Sequence, residues 1–317
     1  MRGVEHSVLD VAGVQSDHIH TMWTVLMGVC GVMYLLVLIF LVWGLMRARG
    51  KPPGSAVAAE TRLMSAALRG WIAVVVLGLF ALTITSYAID REIFSAGEQK
   101  GLSLEVISQQ WWWDVKYQSD DPSLSFETAN EIHLPVNVPV EISLRSPDVI
   151  HSFWVPNLHG KQDLIPGRDT NIHLHPTRIG VFRGQCAEFC GTQHANMAFY
   201  VVVESQQDFN RWRTGQLQVA RDPTNSTARR GRDVFMTAAC ALCHTIRGTD
   251  AAGVYGPDLT HMASRASLAA GTLSYNRGNL AAWIADPQGI KPGNNMPKVE
   301  LDPTALQSII TYLDGLK

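Results

Sequence analysis

GQCAEFCGTQHANM, residues 184–197, sets two cysteines, a glutamate, a histidine and a methionine between two strand-like runs, GVFRG (180–184) and MAFYVVVES (197–205). Soft and borderline donors at this density point to a bound transition metal, and the flanking runs point to a β-domain that holds it. A mononuclear electron-transfer copper uses one cysteine, two histidines and a weak methionine. Here Cys190 follows Cys186 in the same loop. Two thiolates so close can bridge two copper ions, each of which then needs its own imidazole. His194 is one. The best candidate for the other is His151, in SPDVIHSFWVPNL, which follows a strand-like run. His159, His173 and His175 compete, but the last two share one face of a strand pattern and read as solvated or packed. Met197 suits a weak ligand to one copper, and a backbone carbonyl such as that of Glu188 suits the other. A Cys186–Cys190 disulfide would account for the cysteines but not for the histidine and methionine spaced after them.

Working outward, EIHLPVNVPVEISLRS (131–146) alternates apolar and polar residues around a Pro-containing turn, and TNIHLHP (170–176) alternates in the same way. Short alternating runs separated by Pro and Gly predict an all-β sandwich or barrel over residues 90–215. SQQDFNRWRTG (205–215) reads as a short closing helix. Residues 216–228, QLQVARDPTNSTA, are polar and aperiodic, as a linker is. Beyond them helical patterns take over in ARRGRDVFMTAACALCH, SYNRGNLAAWIADP and DPTALQSIITYLDGLK, the last with Asp302 and Pro303 at its start. THMASRASLAA, among them, also reads as helical. Residues 229–317 are expected to form a small all-α domain.

In that domain CALCH (240–244) has the C-x-x-C-H spacing of covalent haem attachment. Cys240 and Cys243 lie on one helical turn, where both reach the vinyl groups of one haem, and His244 then faces the iron. A redox dithiol or half a zinc site would use the same cysteines, but zinc needs further Cys or His ligands and only His261 follows. Two methionines come after the motif. Met296 sits in the Pro/Gly-rich loop KPGNNMPKVE, far enough along to wrap to the other haem face, while Met262 reads as packing. Thioether ligation favours reduced iron and suits electron transfer.

The first third of the chain differs in composition. TMWTVLMGVCGVMYLLVLIFLVWGLM (21–46) and GWIAVVVLGLFALTITSYAI (70–89) contain no charged residue, and about 20 apolar residues cross a bilayer core. Trp23, Trp43 and Trp71 lie near their ends, as interfacial anchors do. Cys30 lies within the first run and reads as a small apolar residue. Residues 1–20 carry Glu5, Asp10 and Asp17, unlike the short basic start of a signal peptide, so the first run reads as a retained helix. Segment 47–69 carries Arg47, Arg49, Lys51, Arg62 and Arg69 against Glu60. That bias predicts a cytoplasmic loop with both termini on the outer side. Across 317 residues the net charge is only −2, which gives no sign of nucleic-acid binding.

The pattern C-x-E-x-C-x-x-x-H-x-x-M from Cys186 to Met197, with His151 before it, resembles the dinuclear copper A site of cytochrome c oxidase subunit II. QQWWWDV (109–115), DVIHSFWVPNL (148–158) and KQDLIPGR (161–168) resemble that family's segments in the same order, as does the two-helix hairpin. The C-terminal region resembles the caa-type subclass, in which a cytochrome c is fused to subunit II. This resemblance implies a multidomain membrane protein with a transmembrane hairpin, a cupredoxin-like Greek-key β-domain and an all-α cytochrome c domain. It implies copper A held by His151, Cys186, the Glu188 main chain, Cys190, His194 and Met197. It implies a magnesium ion held in part by the Glu188 side chain at the border with subunit I, and haem c on Cys240, Cys243, His244 and Met296. Trp111 matches the family's tryptophan where electrons arrive. With a haem domain attached, it is expected to face that domain, while Trp112 and Trp113 suit core or interface positions.

The implied function is electron input to a proton-pumping respiratory oxidase in a bacterial inner membrane, with the copper and haem domains in the periplasm. The implied partners are subunits I and III, the lipid bilayer, and a cytochrome c or quinol–cytochrome c reductase as donor. Two other readings stand beside it: the same relay feeding a copper A nitric oxide reductase, and a membrane-tethered carrier without a fixed partner. KQDLIPGR and Glu188 argue against the carrier, because the family uses them at the subunit I border. The chain departs from many relatives at the inner end of the second helix. Leu68, Arg69 and Gly70 stand there, with Glu60 the nearest acid, so no proton-uptake glutamate is carried over.

Overall fold

The computed structural model describes residues 3–49, 58–95 and 101–317. Lys51 and the side chain of Glu60, both used in the reading of segment 47–69, lie outside the described parts. The chain divides into two units, Asp17–Ser95 and Met1–Ser16 with Ala96–Lys317.

The first unit is made by helices α1 (Val14–Ala48) and α2 (Ala58–Ser95). At ~1.5 Å per residue each is over 50 Å long, well beyond the ~30 Å of a hydrocarbon core. They therefore continue past the charge-free spans 21–46 and 70–89 at both ends. A helix satisfies its own backbone wherever it runs, so it need not stop where the apolar residues do. Their apolar side chains are exposed along the chain, from Leu26 and Phe40 to Leu77 and Phe80, which is the surface a bilayer covers. His18 Nδ1 of α1 lies 3.4 Å from Glu92 Oε2 of α2.

In the second unit ten strands form a β-sandwich: β1 (Leu102–Gln109), β2 (Trp112–Tyr117), β3 (Phe126–Ala129), β4 (Glu131–Pro135), β5 (Val140–Arg145), β6 (His151–Trp154), β7 (Gln162–Leu164), β8 (Thr170–Leu174), β9 (Gly180–Cys186) and β10 (Ala198–Glu204). One sheet has the order β3-β2-β1-β5-β8 and the other β4-β10-β9-β6-β7. Neighbours are antiparallel except β1 with β5 and β4 with β10, where the chain crosses over. The period-2 pattern read from the sequence is the cause. In β5, Val140, Ile142 and Leu144 point inward while Glu141 and Arg145 are exposed, and a one-residue slip would invert every one of them. Trp113, Phe153, Phe182 and Phe199 are fully buried between the sheets. Tyr117 ties β2 to β4: its hydroxyl donates to the His133 carbonyl at 2.9 Å and accepts from the His133 N–H at 2.7 Å.

The N-terminal segment also belongs to this sandwich, a role its sequence does not announce. The Glu5 N–H donates to the Val181 carbonyl of β9, and the Arg183 N–H to the Glu5 carbonyl, both at 2.9 Å. Arg178 clamps Glu5 and Asp10.

Helix α3 (Gln206–Gln216), capped by Ser205, closes the sandwich. Residues 217–225 carry the chain onward, and α4 (Ser226–Thr237) begins inside the stretch read as linker because Asn225 caps it. The remaining helices are α5 (Cys240–Cys243), α6 (Arg277–Ala285), α7 (Pro287–Ile290) and α8 (Pro303–Leu313). Asp302 caps α8 through the Thr304 and Ala305 N–H groups, with Pro303 as the first helical residue. Helices α4 and α8 cross closely: a Cβ on Gly231 would lie 2.0 Å from the Ser308 carbonyl oxygen. THMASRASLAA is not a helix. After a single 3₁₀ turn at Met262–Ser264 it enters a hairpin of β11 (Ser267–Leu268) and β12 (Leu273–Ser274). Ala269 and Ala270 take left-handed φ values of 52° and 57° there, held by their long-range carbonyl contacts rather than by helix propensity.

Candidate metal and haem sites

The loop between β9 and β10 and the start of β6 meet at one end of the sandwich. Pairing of Phe153 with Cys186 brings His151 beside the loop. His151 Nδ1 lies 3.8 Å from Cys186 Sγ, Cys186 Sγ 3.7 Å from Cys190 Sγ, and Cys190 Sγ 3.7 Å from His194 Nδ1 and 3.9 Å from Met197 Sδ. The Glu188 carbonyl oxygen is 3.2 Å from Cys186 Sγ. Both cysteines are free thiols, so the disulfide alternative does not apply. Of the four upstream histidines weighed from the sequence, His151 is the one grouped with Cys186 and Cys190 among the described residues.

The electrostatics suit a cation. A hydrogen bond from Cys190 holds Cys186 down to about 3 against the opposing effect of burial, with His151 adding to the stabilisation. Cys190 is pushed far up by the Cys186 thiolate and by burial. Two thiolates cannot ionise at this separation alone, and a positive ion between them relieves the repulsion. Two thiols, two imidazole nitrogens, a thioether and a carbonyl form a donor set that fits copper.

Asp148 is a residue beside the loop that sequence reasoning missed. Its carboxylate meets His151 Nε2 at 2.9 Å and accepts from the Val149 and Gln110 N–H groups at 2.6 and 2.7 Å. Burial works against a charged His151, but Asp148 and then Cys186 hold its pKa above the usual value. The D-x-x-H spacing was the available signal. A carboxylate on the far nitrogen fixes the imidazole so that Nδ1 faces the sulfurs.

The three tryptophans part company. Trp113 is core, packed edge-on to Phe153 and Phe199, and Trp112 is half-buried. Trp111 donates from Nε1 to the Cys190 carbonyl at 2.9 Å, and Gln110 Nε2 donates to the same oxygen at 2.8 Å. Trp111 is only 8% exposed: Lys291 Nζ reaches its carbonyl at 2.8 Å, and Gly191 and Gly293 lie against its ring.

In the helical domain Cys240 and Cys243 sit on the single turn of α5, both half-buried. His244 Nδ1 donates to the Pro257 carbonyl at 2.8 Å, which leaves Nε2 as the free nitrogen. Burial lowers the His244 pKa, so the ring is neutral, as a ligating imidazole must be. Gly256 is required beside it: a Cβ there would come within 2.6 Å of the ring. Met262 is buried in the core with Phe235, Ile246 and Ile309. Met296 is half-buried in a loop held by Gln288 Nε2, which donates to the Met296 carbonyl at 2.8 Å. These residues fit a haem bound through two thioethers and one fixed imidazole.

Residues 121–206 match the family described as cytochrome c oxidase subunit II, periplasmic domain, and residues 228–317 match cytochrome c. A cytochrome c oxidase subunit 2 of Alkalihalophilus pseudofirmus is 34% identical over 247 residues, which are 78% of this chain and 70% of that protein. The chain belongs to the cytochrome c oxidase subunit II family. Another relative, the cytochrome c oxidase subunit 2 of Bacillus subtilis, is 28% identical over 78% of this chain and 72% of its own length. Among solved structures, the periplasmic domain of subunit II of the Bradyrhizobium japonicum oxidase aligns with 37% of this chain and 95% of its own at 29% identity, with a TM-score of 0.35. As a subunit II the protein is part of an oxidoreductase that works with other oxidase subunits and a cytochrome c donor. Its β-domain points to copper and its C-terminal domain to haem c. The two long apolar helices fit an inner-membrane protein.

Proposed function

We propose that this subunit takes electrons from a reduced donor at a haem c and delivers them through a dinuclear copper centre to subunit I, where oxygen is reduced with proton pumping. Cys240 and Cys243 would hold the haem covalently, and His244 and Met296 would supply its remaining protein ligands. His151, Cys186, the Glu188 carbonyl, Cys190, His194 and Met197 would hold the copper pair. The observation that carries this reading is the convergence of those donors on two free thiols 3.7 Å apart, with Trp111 hydrogen-bonded to the carbonyl of one of them and covered by the loop that bears Met296.

A copper pair held by Cys186 and Cys190 would share one electron, so the change in charge would be spread and little rearrangement would accompany it. The protein supplies rigidity. Asp148 holds His151, Pro257 holds His244, and burial of Cys186, Cys190 and Met197 keeps water from the centre. Glu188 offers a single carboxylate beside Lys161 Nζ at 3.6 Å, so a magnesium ion there would need ligands from subunit I. The proposed topology has both termini in the periplasm. It is supported by the positive 47–69 segment and by the backbone pairing of Glu5 with β9, which ties the start of the chain to the β-domain.

The test is turnover by the complex purified through this chain. With reduced cytochrome c as donor, rapid oxygen uptake with proton release on the outer side is expected. Nitric oxide consumption without comparable oxygen uptake, or recovery of the chain alone without turnover, would contradict it.

A further inference from the structure

A lysine lies sealed in the seam between the β-domain and the cytochrome domain. Lys291 is 2% exposed. Its Nζ donates to three carbonyl oxygens, those of Trp111 at 2.8 Å, Asn196 at 2.7 Å and Ala269 at 3.0 Å. An ammonium has three protons, and each finds one acceptor; a neutral amine could not satisfy all three. The three acceptors come from three different places: the tryptophan before β2, the copper loop between His194 and Met197, and the β11–β12 turn. Burial pushes the Lys291 pKa down to about 7, partly offset by Cys190. A cation placed so expensively is worth its desolvation only where its partners are fixed.

The surroundings reinforce the tie. Gln193 Nε2 donates to the Pro292 carbonyl at 2.8 Å, and Asn295 Nδ2 to the Gln110 carbonyl at 3.2 Å. A Cβ on Gly293 would stand 3.8 Å from the Trp111 ring, in ordinary contact. Ala269 turns its carbonyl to the lysine from a left-handed backbone that alanine rarely adopts, and Ala270 in the same state accepts from the Ala198 N–H, next to Met197, at 2.9 Å. Lysine, methionine loop, tryptophan and copper loop thus form one connected body.

We propose that Lys291 is a positioning residue for electron transfer: its ammonium ties the loop bearing Met296 to Trp111 and to the copper loop, and so sets the geometry between the two centres. The electron-transfer part rests on the relay reading above.

The test uses the intact oxidase with the full-length chain, as wild type, Lys291→Met and Lys291→Ala. Hydrogen exchange over residues 108–113, 193–198 and 289–297 reports the seam. Photoreduction of the haem reports onward transfer, and optical and paramagnetic spectra report the integrity of each centre. Lys291→Met is expected to raise exchange in all three segments and to slow haem-to-copper transfer at least about tenfold, with both spectra unchanged. In Lys291→Ala, added propylammonium is expected to reoccupy the ammonium position and recover both. This second variant carries the test if the first fails to load. Wild-type exchange in the variants, a loosened seam with undiminished transfer, slowed transfer across an intact seam, or no response to the amine would each overturn the proposal. A wild-type protein with a protected seam but no haem-to-copper transfer would overturn the relay instead, and the exchange and amine measurements would still decide whether Lys291 ties the loop.

Discussion

Replacing Asp148 by asparagine probes the copper site without touching a proposed ligand. The carboxylate is acceptor-only and serves His151 Nε2 and the Val149 N–H through one oxygen and the Gln110 N–H through the other. Asparagine keeps one acceptor and turns an NH₂ toward either a donor N–H or the imidazole. At least one charge-assisted hydrogen bond, worth about 1.5–3 kcal/mol, is lost, and His151 loses the partner that fixes its ring. Losing such a partner typically costs about 10–100-fold in metal affinity, or about 1.4–2.7 kcal/mol. The assay is copper retention against a graded series of chelators, with haem content as the internal control because Asp148 belongs to the sandwich. The expected result is copper loss at about 10–100-fold lower chelator activity with haem stoichiometry unchanged. Unchanged copper retention would refute the reasoning that Asp148 orients a ligand.

Four further outcomes follow from the same geometry. Met296→Ala should leave the haem covalently attached but lower its reduction potential and remove the thioether–iron absorption band; an unchanged potential and spectrum would exclude Met296 as the axial ligand. Trp111→Phe keeps a ring but loses the bond to the Cys190 carbonyl, and should slow haem-to-copper transfer in flash experiments while both centres keep their spectra. Gly231→Ala drives a Cβ into the Ser308 carbonyl and should destabilise the cytochrome domain by about 1–3 kcal/mol, read from thermal loss of the haem signal. The fourth is a pH dependence. Burial opposes a charged His133, but Glu131 and Glu204 raise its pKa above 6.5. Its contribution is therefore complete below about pH 6.5 and fades as pH rises through the folded value. The gap in thermal midpoint between wild type and His133→Phe, which keeps a ring against Trp212, should shrink from pH 6 toward alkaline pH. Asp114, pushed up to about 8 by burial and Glu127, titrates in both proteins and cancels.

The donor clusters proposed to hold copper and haem were legible because their spacing is local. Cys186, Cys190, His194 and Met197 are spaced by a single loop, and Cys240, Cys243 and His244 by one helical turn. The strands were legible from period-2 burial, and α8 from its Asp302–Pro303 start. What escaped depends on distance in the chain. Lys291 meets Trp111 from 180 residues away, and within KPGNNMPKVE it reads as an ordinary loop lysine. The pairing of Glu5 with β9 has no pattern of its own, since one bridge does not make a strand. THMASRASLAA misled because Ala, Met and Leu favour helices in isolation, whereas tertiary contacts of the Ala269 and Ala270 carbonyls select a turn. The WWW run gave alternation but could not say which ring would be covered by another domain.

The most direct test of the central claim is to photoreduce the haem in the purified oxidase and follow the haem and copper absorption bands together. The account predicts that the haem reoxidises and the copper is reduced with one common rate, before oxygen is consumed. A haem that stays reduced while the copper remains oxidised, or a copper centre reduced by the external donor ahead of the haem, would contradict it.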